Sequence, residues 1–230
     1  MAGQVGEAYR LEVADPEVSA NLLVMKDALI VFGQAVAAAK NFLPVFQAAV
    51  DAEGVATSEQ QDLLRAMLVF SCSGLDATVK QLVLDALPSV IDKNRGANEE
   101  FKKFVDRKIK RSGEEKSASA GTAFDSGFIA TALTEKNPRQ FLAGALTRSL
   151  VGDSLQSLDQ LLRVAAHFAI TRDEIVADEK AIRAAFRVRN EIVHEMDVDL
   201  RNKKNRRERA VEEMGAHCIA VLAATSSFIG

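Results

Sequence analysis

Hydrophobic residues recur every three or four positions along most of this chain, which is the spacing of one buried face of an α-helix. The first such segment covers about 15–52, and Pro44 is expected to kink or split it because proline removes a backbone donor and clashes with the preceding turn. Ser58 and Gln61 have the spacing of a capping box and predict the start of a second long helix that ends at Pro88. This second segment is apolar on nearly all sides, so we expect it to be central.

The same pattern predicts six further helices. Asn137-Pro138 is a helix-start signal, and the Ser-, Gly- and Glu-rich segment 112–122 is typical of a loop. No segment convincingly predicts a β-strand. We therefore expect an all-α fold, an up-and-down helical bundle forming one domain over 1–230, with an inserted pair of short helices within a variable region at about 97–150. The six helices are expected at about 98–111, 126–133, 138–150, 153–168, 178–195 and 211–228.

Composition agrees with a helical bundle, and the charged residues are unevenly distributed along the chain. The 230 residues are 48% hydrophobic, with no Trp, one Tyr and four Pro, which favours packing between aliphatic helices. The net charge of −3 argues against a protein that coats nucleic acid with its whole surface. Two segments, 93–116 and 183–209, are nevertheless basic. They would form an anion-binding face if they met in space, and otherwise they are ordinary solvated segments.

Location and cysteine chemistry follow from the apolar segments. Charged residues such as Lys26, Arg65 and Lys80 interrupt the longest apolar stretches, and the first residues lack a basic region followed by an apolar run. We expect neither secretion nor a membrane span, and hence a cytoplasmic protein. Cys72 and Cys218 lie among apolar residues and are expected to be small buried hydrophobic side chains.

Most chemical motifs are absent from the sequence. It contains no Gly-rich phosphate loop, no Cys-x-x-Cys, no His-Glu-x-x-His and no Gly-x-Ser-x-Gly, so we predict no metal site, no cofactor and no serine hydrolase. His167 and His217 lie within apolar helical runs, where a packing role is expected. His194 differs because it lies near the end of a predicted helix, directly before a charged connection.

The segment Arg189-Asn190-Glu191-Ile192-Val193-His194 carries the candidate chemistry. At 100° per residue, Asn190 and His194 share one helix face, whereas Arg189 lies about 140° from His194. Arg189 must therefore reach around the helix, or the helix must loosen near its end. An imidazole can move a proton near neutral pH, a guanidinium can hold a phosphate, and an amide can fix either one. These are the requirements of metal-free RNA cleavage, in which a 2′-hydroxyl attacks the adjacent phosphate.

This segment resembles the signature of the HEPN superfamily of helical ribonucleases and toxins. That signature is Arg, a polar residue, three to five further residues and then His, placed late in the penultimate long helix. The resemblance is closest to the branch called RiboL-PSP-HEPN. It implies a metal-independent endoribonuclease in which His194 is the general acid or base, Arg189 stabilises phosphate charge and Asn190 orients one of them. It also implies that two protomers face each other so that both copies of the motif line one cleft. Basic residues, namely Arg187, Lys203, Arg206 and Arg207, would guide the RNA backbone.

Two positions qualify this resemblance. Asp76, in the second helix, looks like the acidic position of those proteins, but it also stands four residues before Lys80 and is compatible with an ordinary helix ion pair. Members paired with nucleotidyltransferase antitoxins tend to carry Tyr two residues after the His, where this chain has Met196, so that regulatory pairing is doubtful.

Two other readings stay open at this point. The chain is alternatively a non-catalytic helical module that binds RNA, a nucleotide or a protein partner, or a helical protein in which Arg189 and His194 are merely solvated. The settings compatible with cleavage are defence, stress or a toxin role, with an antitoxin or another regulatory protein as a possible partner.

Overall fold

A computed structural model describes residues 25–50, 56–114, 126–176, 178–199 and 205–229, and of 110–114, 126 and 129 only the backbone. Within these ranges the chain is an all-α helical bundle, as predicted, and has no strands. It has nine helices there, one more than predicted, because the short helix Arg172–Ile175 was not expected. The helices are α1 (Lys26–Ala49), α2 (Ser58–Lys93), α3 (Arg95–Glu114), α4 (Ser126–Thr134), α5 (Pro138–Gly152), α6 (Leu158–His167), α7 (Arg172–Ile175), α8 (Glu179–Glu195) and α9 (Val211–Ser226).

Helix α2 is the centre of the bundle, as its apolar sequence predicts. It packs along α1 and also against α3, α5, α8 and α9. The two helices approach closely at Gly74, where a Cβ atom would lie 2.3 Å from the Cβ of Ala35 on α1. A residue without a side chain therefore allows these two helices to meet.

Both prolines expected to interrupt helices lie inside continuous ones, so these two predictions are wrong. Helix α1 runs through Pro44 to Ala49, and α2 runs through Pro88 to Lys93. Buried Phe46 follows the first proline, and buried Leu87 and Ile91 flank the second. Burying such side chains is worth roughly 1.5–3 kcal/mol each, which offsets the ~3 kcal/mol cost of proline in a helix. The remainder of the predicted segment 15–52 lies outside the described residues.

Helix starts depend on which polar side chain is available as a cap. Asn137 and Asp178 cap α5 and α8 as predicted, since their side chains accept the backbone N–H of Gln140 and Ala181. The prediction that Asp153 starts the next helix is wrong, because α6 begins after Ser157.

The capping box of α2 consists of Thr57 and Gln60, one position earlier than predicted. The amide of Gln61 is engaged elsewhere, with the backbone of Arg209. Asp153, for its part, forms an ion pair with Arg163.

The region 97–150 contributes to the main hydrophobic core. Phe101 and Phe104 of α3 and Leu146 and Leu150 of α5 belong to the same buried cluster as α2. Helix α3 extends to Glu114, three residues into the predicted loop 112–122, so the loop prediction is wrong for 112–114. The rest of that loop lies outside the described residues.

Two helices, α1 and α2, have the length and composition needed to cross a membrane. The apolar stretch of α2 is 56% buried and that of α1 is 17% buried. Burial accounts for α2 as the core helix of a bundle, and cytoplasmic location stays a prediction.

Candidate functional site

Helix α8 presents the candidate motif on the rim of its buried face. Its core side chains include Ile182, Phe186 and Ile192, which are buried against the rest of the bundle. The positions between them remain accessible to different extents: Arg189 and Asn190 are half-buried, and His194 is exposed. The amphipathic register therefore keeps the polar members of the motif at the surface.

Arg189 and Asn190 are joined directly. The guanidinium of Arg189 donates through Nη1 to Oδ1 of Asn190 at 3.0 Å, and Nδ2 of Asn190 donates to the carbonyl oxygen of Gln156 at 3.2 Å. Nε of Arg189 is buried and has no hydrogen-bond partner among the described residues. Asn190 thus fixes the guanidinium relative to the connection between α5 and α6.

Arg189 also influences a residue of the central helix. Burial raises the pKa of the Cys72 thiol on α2 to about 12, and the charge of Arg189 opposes that rise. Arg189 is itself only half-buried, so part of its side chain stays accessible to solvent.

His194 occupies the last turn of α8, whose helical geometry continues to Glu195. The helix does not loosen before its end, so the angular separation of about 140° between Arg189 and His194 persists. Asn190 lies one turn before His194 on the same face. The amide that holds the Arg189 guanidinium therefore shares a helix face with the exposed imidazole.

A surface groove runs beside this face. The connection between α5 and α6, including Gln156, forms one wall, and Arg187, Asn190, Glu191 and Glu195 of α8 line the other. The groove thus offers two exposed arginines, Arg183 and Arg187, and the Asn190 amide, with two carboxylates alongside. Arg183 is already paired with Asp159 and Glu179. The predicted RNA-guiding residue Arg187 lies at the groove, which is compatible with a phosphate contact there.

Asp76 is engaged in structural contacts. Its Oδ2 atom lies 2.8 Å from Nζ of Lys80, the ordinary helix pair considered above, and its Oδ1 atom accepts the backbone N–H of Leu155 at 2.8 Å. The two partners occupy both carboxylate oxygens. Asp76 therefore anchors the α5–α6 connection to α2 through Leu155. The next residue, Gln156, is the one that Asn190 contacts.

A buried ion cluster lies immediately after the motif and was not predicted from the sequence. The carboxylate of Asp197 is fully buried and accepts hydrogen bonds from Nε of Arg65 at 2.8 Å and from Nε of Arg209 at 3.1 Å. Burial alone would raise the pKa of Asp197, but the hydrogen bonds and charges of Arg209 and Arg65 outweigh it and hold the pKa below its ordinary value. An isolated arginine within the apolar helix α2 was the available signal for this cluster.

The cluster determines how the chain turns after α8. Met196 and Asp197 both adopt left-handed backbone conformations, with φ of 54° and 58°. The N–H groups of both residues are directed to the carbonyl oxygen of Glu191. The returning segment is held by an isolated antiparallel bridge between Val198 and Arg206. The turn that follows His194 is therefore fixed by backbone bonds and by buried charge.

The remaining predicted RNA-binding residues differ in their surroundings. Arg206 pairs with Asp62 at 2.6 Å, and Arg207 lies 3.7 Å from the carboxylates of Glu191 and Asp197. In these ion pairs, the two side chains that were predicted to contact RNA contact carboxylates of the protein itself. Lys203 lies outside the described residues, and the RNA-binding role of all four residues stays a prediction.

The other histidines and the cysteines are interior residues, as predicted. His167 and His217 are buried, and Cys72 and Cys218 are buried free thiols. The described ranges contain no group of three or more His, Cys, Asp or Glu side chains arranged to hold a metal ion.

Comparisons of the chain with protein-family models, with curated proteins and with solved structures give no match. Membership of the HEPN superfamily therefore stays a prediction made from the sequence motif.

Proposed function

We propose that this protein is a metal-independent endoribonuclease of the HEPN type, with a composite site formed by Arg189, Asn190 and His194. The observation that carries the proposal is the arrangement on α8: an exposed imidazole, an amide one turn before it, and a guanidinium held by that amide. An imidazole must be accessible to exchange a proton with a polymer substrate, and His194 meets that condition.

The proposed reaction is an in-line displacement at phosphorus. The 2′-hydroxyl of one nucleotide loses a proton and attacks the adjacent phosphorus, and the bond to the 5′-oxygen of the next nucleotide breaks. The products are a 2′,3′-cyclic phosphate and a 5′-hydroxyl, formed when the leaving oxygen takes up a proton. His194 serves one of the two proton transfers, and Arg189 stabilises the charge that develops on the phosphate oxygens.

A second copy of the chain would complete the site. General acid and general base catalysis each require a group in a different protonation state, and the motif supplies only one histidine per chain. In a twofold dimer, His194 and the partner's His194 would face one cleft and divide the two roles. RNA is the proposed substrate, with Arg187 at the adjoining groove as a backbone contact and with Lys203, Arg206 and Arg207 in the segment that follows.

RNA cleavage by the purified protein in EDTA tests the proposal. His194→Ala should lower the rate by roughly 10²–10⁴-fold, the usual contribution of a general acid or base, and Arg189→Ala by roughly 10²–10³-fold. Arg148→Ala, which removes an exposed arginine from α5, is the control and should leave cleavage unchanged. Activity that survives both motif substitutions would refute the assignment.

A second candidate function is a non-catalytic helical module that binds RNA, a nucleotide or a protein partner. The state of Arg189 favours it, because this half-buried side chain is already held by Asn190. RNA binding without cleavage would support the module.

Expression of the gene in a bacterial host separates the two candidates in cells. A nuclease with a toxin or defence role should slow growth, and His194→Ala should restore growth. Co-expression of a regulatory partner such as an antitoxin should also restore it. A binding module should leave growth unaffected with either residue at position 194.

A further inference from the structure

A small cavity of about 160 Å³ lies between α3, α5 and α6, away from the candidate motif on α8. His167, the last residue of α6, lines it and is only 3% exposed. Nδ1 of His167 is buried without a hydrogen-bond partner among the described residues. A buried ring nitrogen without a partner is costly, at roughly 1–3 kcal/mol, unless a ligand or water meets it.

The charged lining of the cavity is mainly cationic. Arg107, Lys108 and Arg163 line it with one carboxylate, Asp153, and with the hydroxyl of Ser149. Arg163 is paired with that carboxylate at 2.5 Å. Among the residues that the structure describes, the guanidinium of Arg107 has only a bond of 3.3 Å from Nε to the carbonyl oxygen of Lys103. The cavity therefore has an excess of positive charge.

The positive surroundings act on the buried ring itself. Burial lowers the pKa of His167 to about 4, Glu100 opposes the shift, and the charges of Arg107 and Arg163 add to it. The ring is thus neutral near neutral pH, and both arginines are close enough to influence it. An anion in the cavity would be attracted by the two guanidinium groups and would accept a hydrogen bond from a neutral imidazole N–H.

We propose that this cavity binds the phosphate group of a small ligand, with Arg107 and Arg163 as its charge partners and His167 as a hydrogen-bond donor at its floor. A phosphate monoester carries about −1.5 to −2 charges at pH 7, which matches the excess of cations. The volume accommodates a phosphate but leaves little space for a nucleobase, so any larger part of the ligand lies outside the cavity. Phosphate binding in this cavity does not require RNA cleavage at the α8 motif.

Histidine ring signals in NMR spectra provide the assay, because the chain has only three histidines. His167→Gln assigns the signal of interest. Titration with inorganic phosphate should shift that signal to saturation by about 10 mM. Arg107→Gln and Arg163→Gln should each weaken binding about tenfold or more, as expected when one charge-assisted contact is lost. Arg172→Gln, an exposed arginine of α7, is the matched control and should not change binding.

Adenosine monophosphate distinguishes the two sources of the anion. Tighter binding of the nucleotide than of phosphate identifies a nucleotide ligand, and equal or weaker binding identifies free phosphate. The absence of a saturable change at His167 with either probe would overturn the proposal. Binding that the Arg107 and Arg163 variants retain in full would also overturn it. Thermal unfolding of each variant verifies that a loss of binding is not a loss of fold.

Discussion

Replacement of Asp197 by Asn removes one buried charge while leaving the backbone undisturbed. Asparagine tolerates the left-handed conformation that Asp197 adopts, so the substitution introduces little backbone strain. The lost carboxylate leaves Arg65, whose side chain is 4% exposed, and Arg209, whose side chain is 9% exposed, without their shared partner. The effect on stability is therefore due to the ion cluster.

The contacts that remain determine the expected size of this effect. Removing one partner of a buried pair costs roughly 3–5 kcal/mol. Arg65 keeps its bond to the carbonyl oxygen of Arg207 and its pair with Asp62, and Arg209 keeps Glu191. We therefore expect the lower end, about 3 kcal/mol, which corresponds to a fall in Tm of about 6–12 °C for a chain of this size.

Urea unfolding followed by circular dichroism at neutral pH measures the change in the free energy of unfolding. The matched control is Asp92→Asn, which removes a carboxylate that pairs with Arg139 at the surface and is 65% exposed. Surface pairs contribute at most about 1 kcal/mol. If Asp197→Asn destabilises the protein no more than Asp92→Asn, the cluster does not stabilise the turn after α8.

Three further predictions concern packing, thiol reactivity and pH. Gly74→Ala should destabilise the protein by about 1–3 kcal/mol in urea unfolding, because its Cβ would overlap Ala35. Gly33, also on α1, is the control, because a Cβ atom there would have no neighbour within 4 Å. Gly33→Ala should stabilise the protein by about 0.5–1 kcal/mol. Equal effects at both glycines would contradict the role of Gly74 in helix packing. A thiol reagent should leave Cys72 and Cys218 unmodified in the native protein at pH 8, since burial raises the pKa of both thiols; rapid modification would show that they are accessible. The lowered pKa of Asp197 means that its stabilising contribution is complete above the unfolded pKa near 3.8 and is lost as the pH falls through the lower folded value, so acid unfolding of Asp197→Asn should lack this component.

The helices could be predicted because their signals are local. The apolar spacing that predicts a helix relates residues only three or four positions apart. The caps at Asn137 and Asp178 likewise act on the turn that directly follows them. The errors at Pro44 and Pro88 arose where distant packing outweighed a local cost. The helix start predicted at Asp153 was wrong for a similar reason, because Asp153 pairs with Arg163 of the next helix instead of capping it.

In the candidate site, too, only the features set by local sequence signals could be predicted. Helical phase predicted that Asn190 and His194 share a face, and the amphipathic pattern of α8 agrees with an exposed His194. The bond from Asn190 to the carbonyl oxygen of Gln156 joins residues 34 positions apart, so the local pattern did not predict it. Arg65 and Asp197 are separated by 132 positions, so no local pattern connects them.

The connection between α5 and α6 is attached to two helices through consecutive residues. The N–H of Leu155 is bound by Asp76 of α2, and the carbonyl oxygen of Gln156 is bound by Asn190 of α8. The same connection begins at Asp153, beside the cationic cavity. A ligand that displaced this short segment would change the support of the Arg189 guanidinium without touching it. Any such communication is reciprocal in free energy, so occupancy of the α8 motif would alter affinity at the cavity by the same factor.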